Sequence, residues 1–315
     1  MIENESQFNL KETASALEKL LSGTESVRMH EPMSLHTSFR AGGEADLFVE
    51  TGVMNLCPVL QMLKKDNIPF VILGNGSNIL VSDAGYRGAV VHLCEQTTGI
   101  GIDGQLLTCD AGQRLSVVAH AAKEASLDGL AFAAGIPGTI GGALVMNAGA
   151  FGGEMKDIVE SVTAIDLEKA DMPEIHLSCA EMHFSYRHSL ASEKALCITG
   201  VTLRLTAGNQ EEIENRMREI SQQRTEKQPL NYPSAGSTFK RPEGYFAGKL
   251  IMDAGLRGYS VGGAQVAEKH CGFIINKGGA TATDIYRLMT QVQEKVYADS
   301  GVHLEREVIL LGEFE

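Results

Sequence analysis

The stretch Gly135-Ile-Pro-Gly-Thr-Ile-Gly-Gly-Ala-Leu-Val-Met-Asn-Ala-Gly149, continued by Ala150-Phe-Gly-Gly153, decides how the rest of the chain is interpreted. It holds seven glycines in nineteen residues, has a proline at position 137, and runs into an apolar segment. Glycine lets backbone N–H groups approach a ligand that a Cβ atom would hold away, and phosphate is the usual ligand of such loops. The alternative is a packing seam lined by glycine, and this stretch alone does not separate the two.

A second loop favours the ligand. The run Phe70-Val-Ile-Leu-Gly-Asn-Gly-Ser-Asn78 begins as a short β-strand and ends in glycine and small polar residues, which form turns. Such turns also present backbone N–H groups to anions. Two loops of this kind predict a diphosphate held between them.

A third glycine motif has a different explanation. The segment Gly99-Ile-Gly-Ile-Asp-Gly104 matches the dinucleotide fingerprint G-x-G-x-x-G letter for letter. That fingerprint requires a helix to open at its third glycine, whereas Asp103-Gly104 favours a hairpin turn before the strand-like residues 106–110. We therefore predict a hairpin here and reject a Rossmann fold.

Composition limits the class of protein. With 315 residues, 43% of them hydrophobic and 21% charged, the chain has the composition of a globular protein with two or three domains. Its formal charge of -13 would repel polyanions, so we expect neither nucleic acid nor a membrane surface as a partner. The acidic start Met1-Ile-Glu-Asn-Glu-Ser does not resemble a signal peptide, and the cytoplasm is the predicted location. The six cysteines and nine histidines show no ligand spacing, so no metal site is predicted.

Apolar periodicity predicts several helices. One covers residues 9–21, and another covers 211–227 with Ile213, Met217 and Ile220 facing inward. A third helix follows the capping-box sequence Thr281-Ala-Thr-Asp284. Because helices and β-branched strands are mixed along the chain, the predicted fold class is α+β.

Further motifs carry a family resemblance. They are His36-Thr-Ser-Phe-Arg-Ala-Gly-Gly43, Phe184-Ser-Tyr-Arg187, Tyr232-Pro-Ser-Ala-Gly-Ser-Thr-Phe-Lys240, Ala247-Gly-Lys-Leu-Ile251 and Leu304-Glu-Arg-Glu-Val308. Together with the two glycine loops, in this order from about residue 36 to residue 312, they resemble the UDP-N-acetylenolpyruvoylglucosamine reductases. The chain looks like the shorter subtype of these flavoenzymes of peptidoglycan synthesis, which have an FAD-binding domain of the vanillyl-alcohol-oxidase type.

The resemblance implies a domain organisation. Residues 1–94 would form the first lobe of the FAD-binding domain, and residues 95–208 would form its second lobe, completed by residues 302–315. Residues 209–301 would form a C-terminal α+β substrate domain. The partners implied are FAD, held without a covalent link, NADPH as reductant, and a UDP-sugar substrate, bound by a monomer.

The resemblance also assigns the cofactor residues. The FAD-binding positions it implies are Arg40, Leu73, Gly74, Asn75, Gly76, Ser77, Asn78, Pro137, Gly138, Thr139, Gly141, Gly142, Asn147, Ala148 and Gly149.

The implied reaction is hydride transfer to an enolpyruvyl group followed by protonation. Arg187 and Glu307 would polarise the enolate, and Ser237 would donate the proton. Between residues 224 and 257 there are six cations and three acids, a local balance of +3 that suits a nucleotide diphosphate. The predicted substrate-binding residues are Tyr186, Arg224, Lys227, Lys240 and Lys249.

Two departures from the family pattern bear on the site. Arg306 stands where the family often has proline, and Ile309 stands where it often has arginine, so the second departure would weaken contact with the substrate. Two other functions stay open at this point. One is an FAD-dependent oxidase or dehydrogenase of the same fold that acts on another alcohol or sugar, and the other is a nucleotide-binding protein without catalysis.

Overall fold

The computed structural model describes residues 10–95 and 99–314, so the acidic residues 1–6 lie outside the described part. The chain forms two compact units. Of the described residues, the first contains those up to Met29 together with Leu47–Asn75 and Gly88–Gln222, and the second contains His30–Asp46, Gly76–Arg87 and those from Gln223 onward. Neither unit is one continuous piece of chain, so its core is assembled from segments far apart in sequence.

The three predicted helices lie close to the expected positions among the described residues. In chain order the helices are α1 (Leu10–Leu20), α2 (Val53–Lys65), α3 (Leu115–Glu124), α4 (Ile140–Val145), α5 (Leu190–Glu193), α6 (Gln210–Lys227), α7 (Ala247–Asp253) and α8 (Ala282–Ser300). The predicted three are α1, α6 and α8. The predicted capping box opens α8, because the Thr281 hydroxyl accepts the Asp284 N–H (3.0 Å) and the Asp284 carboxylate accepts the Thr281 N–H (3.1 Å). The helix ends at Gly301, whose φ of 72° is the left-handed conformation of a helix C-cap.

The strands are short. They are β1 (Ser26–Pro32), β2 (Glu44–Thr51), β3 (Phe70–Leu73), β4 (Ile79–Val81), β5 (Tyr86–Leu93), β6 (Ile100–Asp103), β7 (Leu106–Asp110), β8 (Leu127–Asp128), β9 (Gly149–Ala150), β10 (Gly153–Glu154), β11 (Val159–Asp166), β12 (Glu174–Ser178), β13 (Leu196–Arg204), β14 (Thr206–Ala207), β15 (Ser260–Val261), β16 (Ala264–Val266), β17 (Ile274–Asn276) and β18 (Ile309–Leu311). The larger sheets have the strand orders β1-β2-β5-β3, β12-β11-β13-β7-β6 and β15-β16-β17.

The first unit is built on the five-stranded sheet, whose strands pair antiparallel throughout. Its edge confirms the rejection of a Rossmann fold. Strands β6 and β7 form a hairpin with Ile102 opposite Leu107, and Gly104 turns the chain with a φ of 57°. A strand in this place cannot supply the helix N-terminus that the dinucleotide fingerprint requires.

The second unit is built around α8, which packs on the antiparallel strands β15, β16 and β17. The apolar stripe of α8 is fully buried, as its spacing predicts, and consists of Ile285, Leu288, Met289, Val292 and Val296. At the end of the chain, β18 pairs parallel with β4.

The compact units divide the chain at other places than the predicted domain boundaries, which stay a prediction. Helix α6 buries Ile213, Met217 and Ile220 in the core of the first unit, so the division falls near residue 222 instead of 208. The C-terminal strand pairs with β4, which was assigned to the first predicted lobe, whereas residues 302–315 were expected to complete the second. Packing of buried side chains sets these divisions, and the amphipathic pattern that begins near residue 209 does not show which core the helix joins. Within the described residues, every helix is too short or too polar to cross a bilayer.

Candidate active site

The two glycine loops meet in the first unit, as their sequences predict. The Asn75 side-chain amide donates to the Pro137 carbonyl over 2.9 Å. Gly74 lies so close to Thr139 that a Cβ atom at position 74 would collide with the Thr139 hydroxyl. The loop after β3 and the loop before α4 therefore form one structure.

Most glycines of this structure are required by packing within the protein. A Cβ atom at Gly141 would lie 3.0 Å from the Ala111 Cβ, and one at Gly149 would lie 2.7 Å from the Glu154 Cβ. The packing-seam explanation therefore holds for these two positions. Gly142 differs, because it is exposed and its nearest described neighbour would be the Thr139 hydroxyl at 3.6 Å. Glycine at 142 leaves space for a ligand.

Two backbone N–H groups of the joined loops have no acceptor among the described residues. Among the described residues, no hydrogen bond has the backbone N–H of Asn75 or of Thr139 as its donor. Other amides of the loop are engaged, since Gly141 donates to the Ala111 carbonyl (2.8 Å) and Gly142 donates to the Thr139 hydroxyl (3.4 Å). Available N–H groups beside an uncrowded glycine fit the diphosphate of a dinucleotide such as FAD.

Asn147 has a role in holding the protein together. It is fully buried with a positive φ of 43°, and its side-chain oxygen accepts the Lys156 N–H over 2.9 Å. Its side-chain nitrogen donates to Glu154 (2.9 Å) and to the Ser185 carbonyl (3.0 Å). Asn147 thus fixes a hairpin that begins at Ser185, and the predicted contact with the cofactor stays a prediction.

That hairpin carries the predicted catalytic arginine. Ser185 and His188 exchange two backbone hydrogen bonds of 3.1 and 3.3 Å, which places Tyr186 and Arg187 at the tip. Arg187 has a φ of 55°, a conformation that costs energy for residues other than glycine and is often found at functional sites. Its guanidinium donates to the Gly149 carbonyl (3.2 Å) and lies over the Tyr186 ring at 4.9 Å. The arginine head is therefore held in a defined place in the first unit.

In the second unit, a strand pairing brings Ser237 and Glu307 into neighbouring segments. Phe239 and Arg306 form an antiparallel bridge, and the Glu307 N–H donates to the Thr238 carbonyl over 2.9 Å. The Glu307 carbonyl also accepts from the Asn78 side chain at 3.0 Å. The segment that carries Ser237, the predicted proton donor, is therefore hydrogen-bonded to the segment that carries Glu307, which is predicted to polarise the enolate.

Thr238 anchors this pairing, and sequence reasoning did not single it out. Its side chain is fully buried, and its hydroxyl accepts the Ile274 N–H over 3.0 Å. Its own N–H donates to the Gly272 carbonyl over 2.9 Å. Ser237, one residue earlier, is exposed. Nothing in the sequence distinguishes a buried threonine from the exposed serine beside it.

Other predicted cofactor residues also lie in the second unit. Gly76 has a φ of 59° and is so close to the His36 carbonyl that a Cβ atom would collide with it. The Gly76 carbonyl accepts the Ser38 N–H over 3.0 Å, which joins this loop to the segment before Arg40. Arg40 is exposed and has a φ of 53°. The motif around residue 40 and the second glycine loop are thus neighbours.

The predicted basic patch is partly neutralised. Lys240 forms an ion pair with Glu305 (2.5 Å), and Lys249 forms one with Asp253 (2.6 Å). The local balance of +3 therefore overstates the charge available to a ligand, because Glu305 comes from outside the counted segment.

Two of the cations predicted to bind the substrate are not paired with a carboxylate among the described residues. For Arg224 and Lys227, no ion pair or side-chain hydrogen bond occurs within the described residues. The Arg224 side chain is half-buried, and this burial lowers the pKa of its guanidinium. An anion bound here would compensate this charge.

These features define a class of protein. The two loops predicted to hold a dinucleotide meet in the first unit, and the second unit presents the predicted serine and glutamate and an arginine without a carboxylate partner among the described residues. This is the arrangement of a flavin-dependent oxidoreductase with a separate substrate domain. Residues 53–175 match the family model described as an FAD binding domain, and residues 228–311 match the one described as the UDP-N-acetylenolpyruvoylglucosamine reductase C-terminal domain.

Comparison with individual proteins agrees. A UDP-N-acetylenolpyruvoylglucosamine reductase of Agathobacter rectalis is 50% identical over 296 residues, covering 90% of this chain and 93% of the relative. One of Clostridioides difficile is 49% identical over 290 residues, covering 92% and 94%. The crystal structure of the reductase from Thermus caldophilus superposes with a TM-score of 0.77 at 33% identity, covering 91% of this chain and 99% of that one.

The chain belongs to the UDP-N-acetylenolpyruvoylglucosamine reductase family. The predicted α+β fold class is confirmed, with an FAD-binding domain and a C-terminal domain of the reductase family.

Proposed function

We propose that this protein reduces UDP-N-acetylglucosamine enolpyruvate to UDP-N-acetylmuramate, a precursor of peptidoglycan, with NADPH as the reductant. It is an FAD-containing oxidoreductase of the family named above. When bound, FAD carries a hydride from NADPH to the methylene carbon of the enolpyruvyl group. A match of residues 228–311 to the reductase C-terminal domain argues against both an oxidase of the same fold and a protein that only binds nucleotides.

Ser237 is proposed as the proton donor. Hydride addition leaves negative charge on the carbon next to the carboxylate, and a proton delivered to that carbon completes the lactyl ether. Ser237 is exposed, while Thr238 behind it is fully buried and bonded through its amide and its hydroxyl. The serine hydroxyl is thus presented from a fixed backbone. The single observation that carries the assignment is the strand pairing that brings Ser237 and Glu307 together in one unit.

Arg187 and Glu307 are proposed to stabilise the enolate. Arg187 carries a full positive charge, and its contacts with Gly149 and Tyr186 hold the guanidinium in one orientation. A fixed cation stabilises developing charge better than a freely rotating one, because it needs no reorganisation during the reaction. Glu307, in its protonated form, would donate a hydrogen bond to the same charge from a backbone held by Thr238 and Asn78.

Arg224 and Lys227 are proposed to hold the substrate diphosphate. Both cations lie in the last turn of α6, and their charges have no partner among the described residues. Arginine binds phosphate oxygens through two parallel N–H groups, which would also satisfy the partly buried guanidinium of Arg224. Tyr186, Lys240 and Lys249 stay predicted substrate contacts, the two lysines through charges already shared with carboxylates.

Turnover tests the function. Purified holoenzyme should oxidise NADPH rapidly only when UDP-N-acetylglucosamine enolpyruvate is added, and oxidation that is independent of this substrate would contradict the proposal. Arg187→Ala should lower turnover, while Arg204→Ala serves as the matched control, because Arg204 is an exposed arginine paired with Glu160 on the same unit. Equal losses in the two variants would remove Arg187 from the mechanism.

We also propose that the protein acts as a monomer in the cytoplasm, where nucleotide sugars and NADPH are available. Light scattering of the purified holoenzyme measures the first point, and a mass of twice the 33.8 kDa chain would contradict it. Cell fractionation measures the second.

A further inference from the structure

Gln293 on α8 holds the segment that precedes Glu307. Its side-chain nitrogen donates to the Leu304 carbonyl over 2.7 Å, and its side-chain oxygen accepts from the Arg306 Nε over 2.9 Å. One half-buried amide thus bonds two positions of the same segment. The segment 304–306 is thereby fixed to the helix.

Arg306 adds a second contact to the same helix. Its guanidinium lies over the Tyr286 ring at 4.9 Å, a cation–π contact. Tyr286 and Gln293 are seven residues apart, which places them two turns apart on one face of α8. The proline that the family often has at this position could make neither contact. The departure from the family pattern therefore gives this chain an attachment of its own.

The contacts of Gln293 and Arg306 between α8 and the 304–306 segment lie directly before Glu307 in the chain. Phe239, opposite Arg306, is buried, and the Lys240 N–H donates to the Glu305 carbonyl over 2.8 Å. On one side the segment is held by the strand that follows Ser237, and on the other it is held by α8. A shift of the segment along α8 would move Glu307 relative to Ser237.

We infer that Gln293 and Arg306 are positioning residues for Glu307, which set the place of its carboxyl group while negative charge develops on the substrate. The inference rests on the role of Glu307 in the proposed function. Reacting groups must be held closely, since a misplacement of about 1 Å from a distant mutation can cost a factor of about 100 in rate. A purely structural role would instead lower stability without selecting one step of the reaction.

Four variants of the holoenzyme separate these roles. Gln293→Met removes both hydrogen bonds and keeps the length of the side chain. Arg306→Lys keeps a cation beside Tyr286 but loses the Nε donor. Glu294→Ala, at an exposed position of the same helix, is the matched control, and Glu307→Gln is the reference for the acid itself.

The two half-reactions are followed by flavin absorbance in a stopped-flow instrument. Gln293→Met should slow reoxidation by the enolpyruvyl substrate by about tenfold and leave reduction by NADPH within about twofold of the original rate. Arg306→Lys should show the same selectivity to a smaller extent, and it carries the test if Gln293→Met does not fold. The double variant Gln293→Met with Glu307→Gln should react no more slowly than Glu307→Gln alone, because residues acting through one group are not additive.

Each contrary outcome has a separate meaning. A normal reoxidation rate in both Gln293→Met and Arg306→Lys, or equal slowing of both half-reactions, overturns the positioning role. Additive losses in the double variant also overturn it and leave the role of Glu307 intact. Normal reoxidation in Glu307→Gln instead contradicts the proposed function of Glu307, and the positioning role falls with it.

Discussion

Replacement of Ser237 by alanine tests the proposed chemistry most directly. Ser237 is exposed, and no hydrogen bond of its hydroxyl occurs within the described residues. The backbone around it is held by Thr238, whose bonds to Gly272 and Ile274 do not involve the serine side chain. Removal of the hydroxyl should therefore leave the fold and its stability unchanged, so any loss of rate reports on chemistry.

The size of the loss follows from the role. General acid catalysis typically contributes about 10²- to 10⁴-fold, which corresponds to about 2.7 to 5.4 kcal/mol in activation free energy. The loss should appear in reoxidation of the flavin by the enolpyruvyl substrate, because that half-reaction contains the protonation. Reduction by NADPH should stay near normal. Ser237→Cys, which keeps a proton to give, should lose less than Ser237→Ala.

The assay is stopped-flow absorbance of the flavin with each half-reaction started separately. Ser234→Ala is the matched control, because Ser234 lies in the same segment and its backbone bridges Ile275. Equal slowing of both half-reactions in Ser237→Ala would mean that the serine is structural. An undiminished reoxidation rate would refute the proton-donor assignment.

Three further predictions concern the cofactor and the fold. Neither glycine loop contains a histidine or cysteine, so acid denaturation should release all flavin, and flavin left on the precipitated chain would contradict this. Gly142→Val should fold but purify without bound flavin. Gly141→Val should also lose stability, because a Cβ atom at 141 would lie 3.0 Å from the Ala111 Cβ. Full flavin occupancy in Gly142→Val would mean that the FAD diphosphate binds elsewhere. Asp83 accepts the Ala282 and Thr283 N–H groups at the start of α8, both at 2.8 Å, so Asp83→Ala should lower the unfolding midpoint by an amount corresponding to about 1 kcal/mol, and Asp83→Asn by less. Partial burial raises the pKa of the Asp83 carboxyl, but hydrogen bonds from Thr283 and Ala282 outweigh burial and lower the pKa overall. The stability that Asp83 contributes is therefore present above the unfolded pKa of about 4 and is lost as the pH falls through the folded pKa. A loss of stability in Asp83→Ala that does not shrink in acid would contradict the assignment.

The sequence predicted the residues of the candidate site, but it did not predict which of their charges are neutralised by a carboxylate. Counting residues between 224 and 257 predicts an excess of positive charge, yet Lys240 is neutralised by Glu305, which lies 65 residues further along the chain. The pattern also gave no reason to separate Arg224 from the lysines. Only burial without a carboxylate partner distinguishes it, and burial depends on how α6 packs.

Prediction from the sequence has a similar limit in the two glycine loops. The sequence predicts that two loops come together, and the contact between Asn75 and Pro137 confirms it. The sequence does not show which glycines face a ligand and which face the protein. Gly141 is required by Ala111, while Gly142 is not crowded, although the two residues are adjacent.

The sequence by itself determined the features that depend on neighbouring residues. Asp103-Gly104 specified a hairpin, and Thr281 with Asp284 specified the start of α8, because turn and cap geometry involve only a few consecutive residues. The ordered motifs determined the family in the same way. Tertiary structure alone decided the pairing of β4 with β18 and the packing of Ile213, Met217 and Ile220 of α6 in the core of the first unit. A three-residue strand has too short a pattern to predict which strand it pairs with. The apolar face of a helix predicts that the helix packs on a core, but not which core. Both are decided only when segments distant in the sequence pack together.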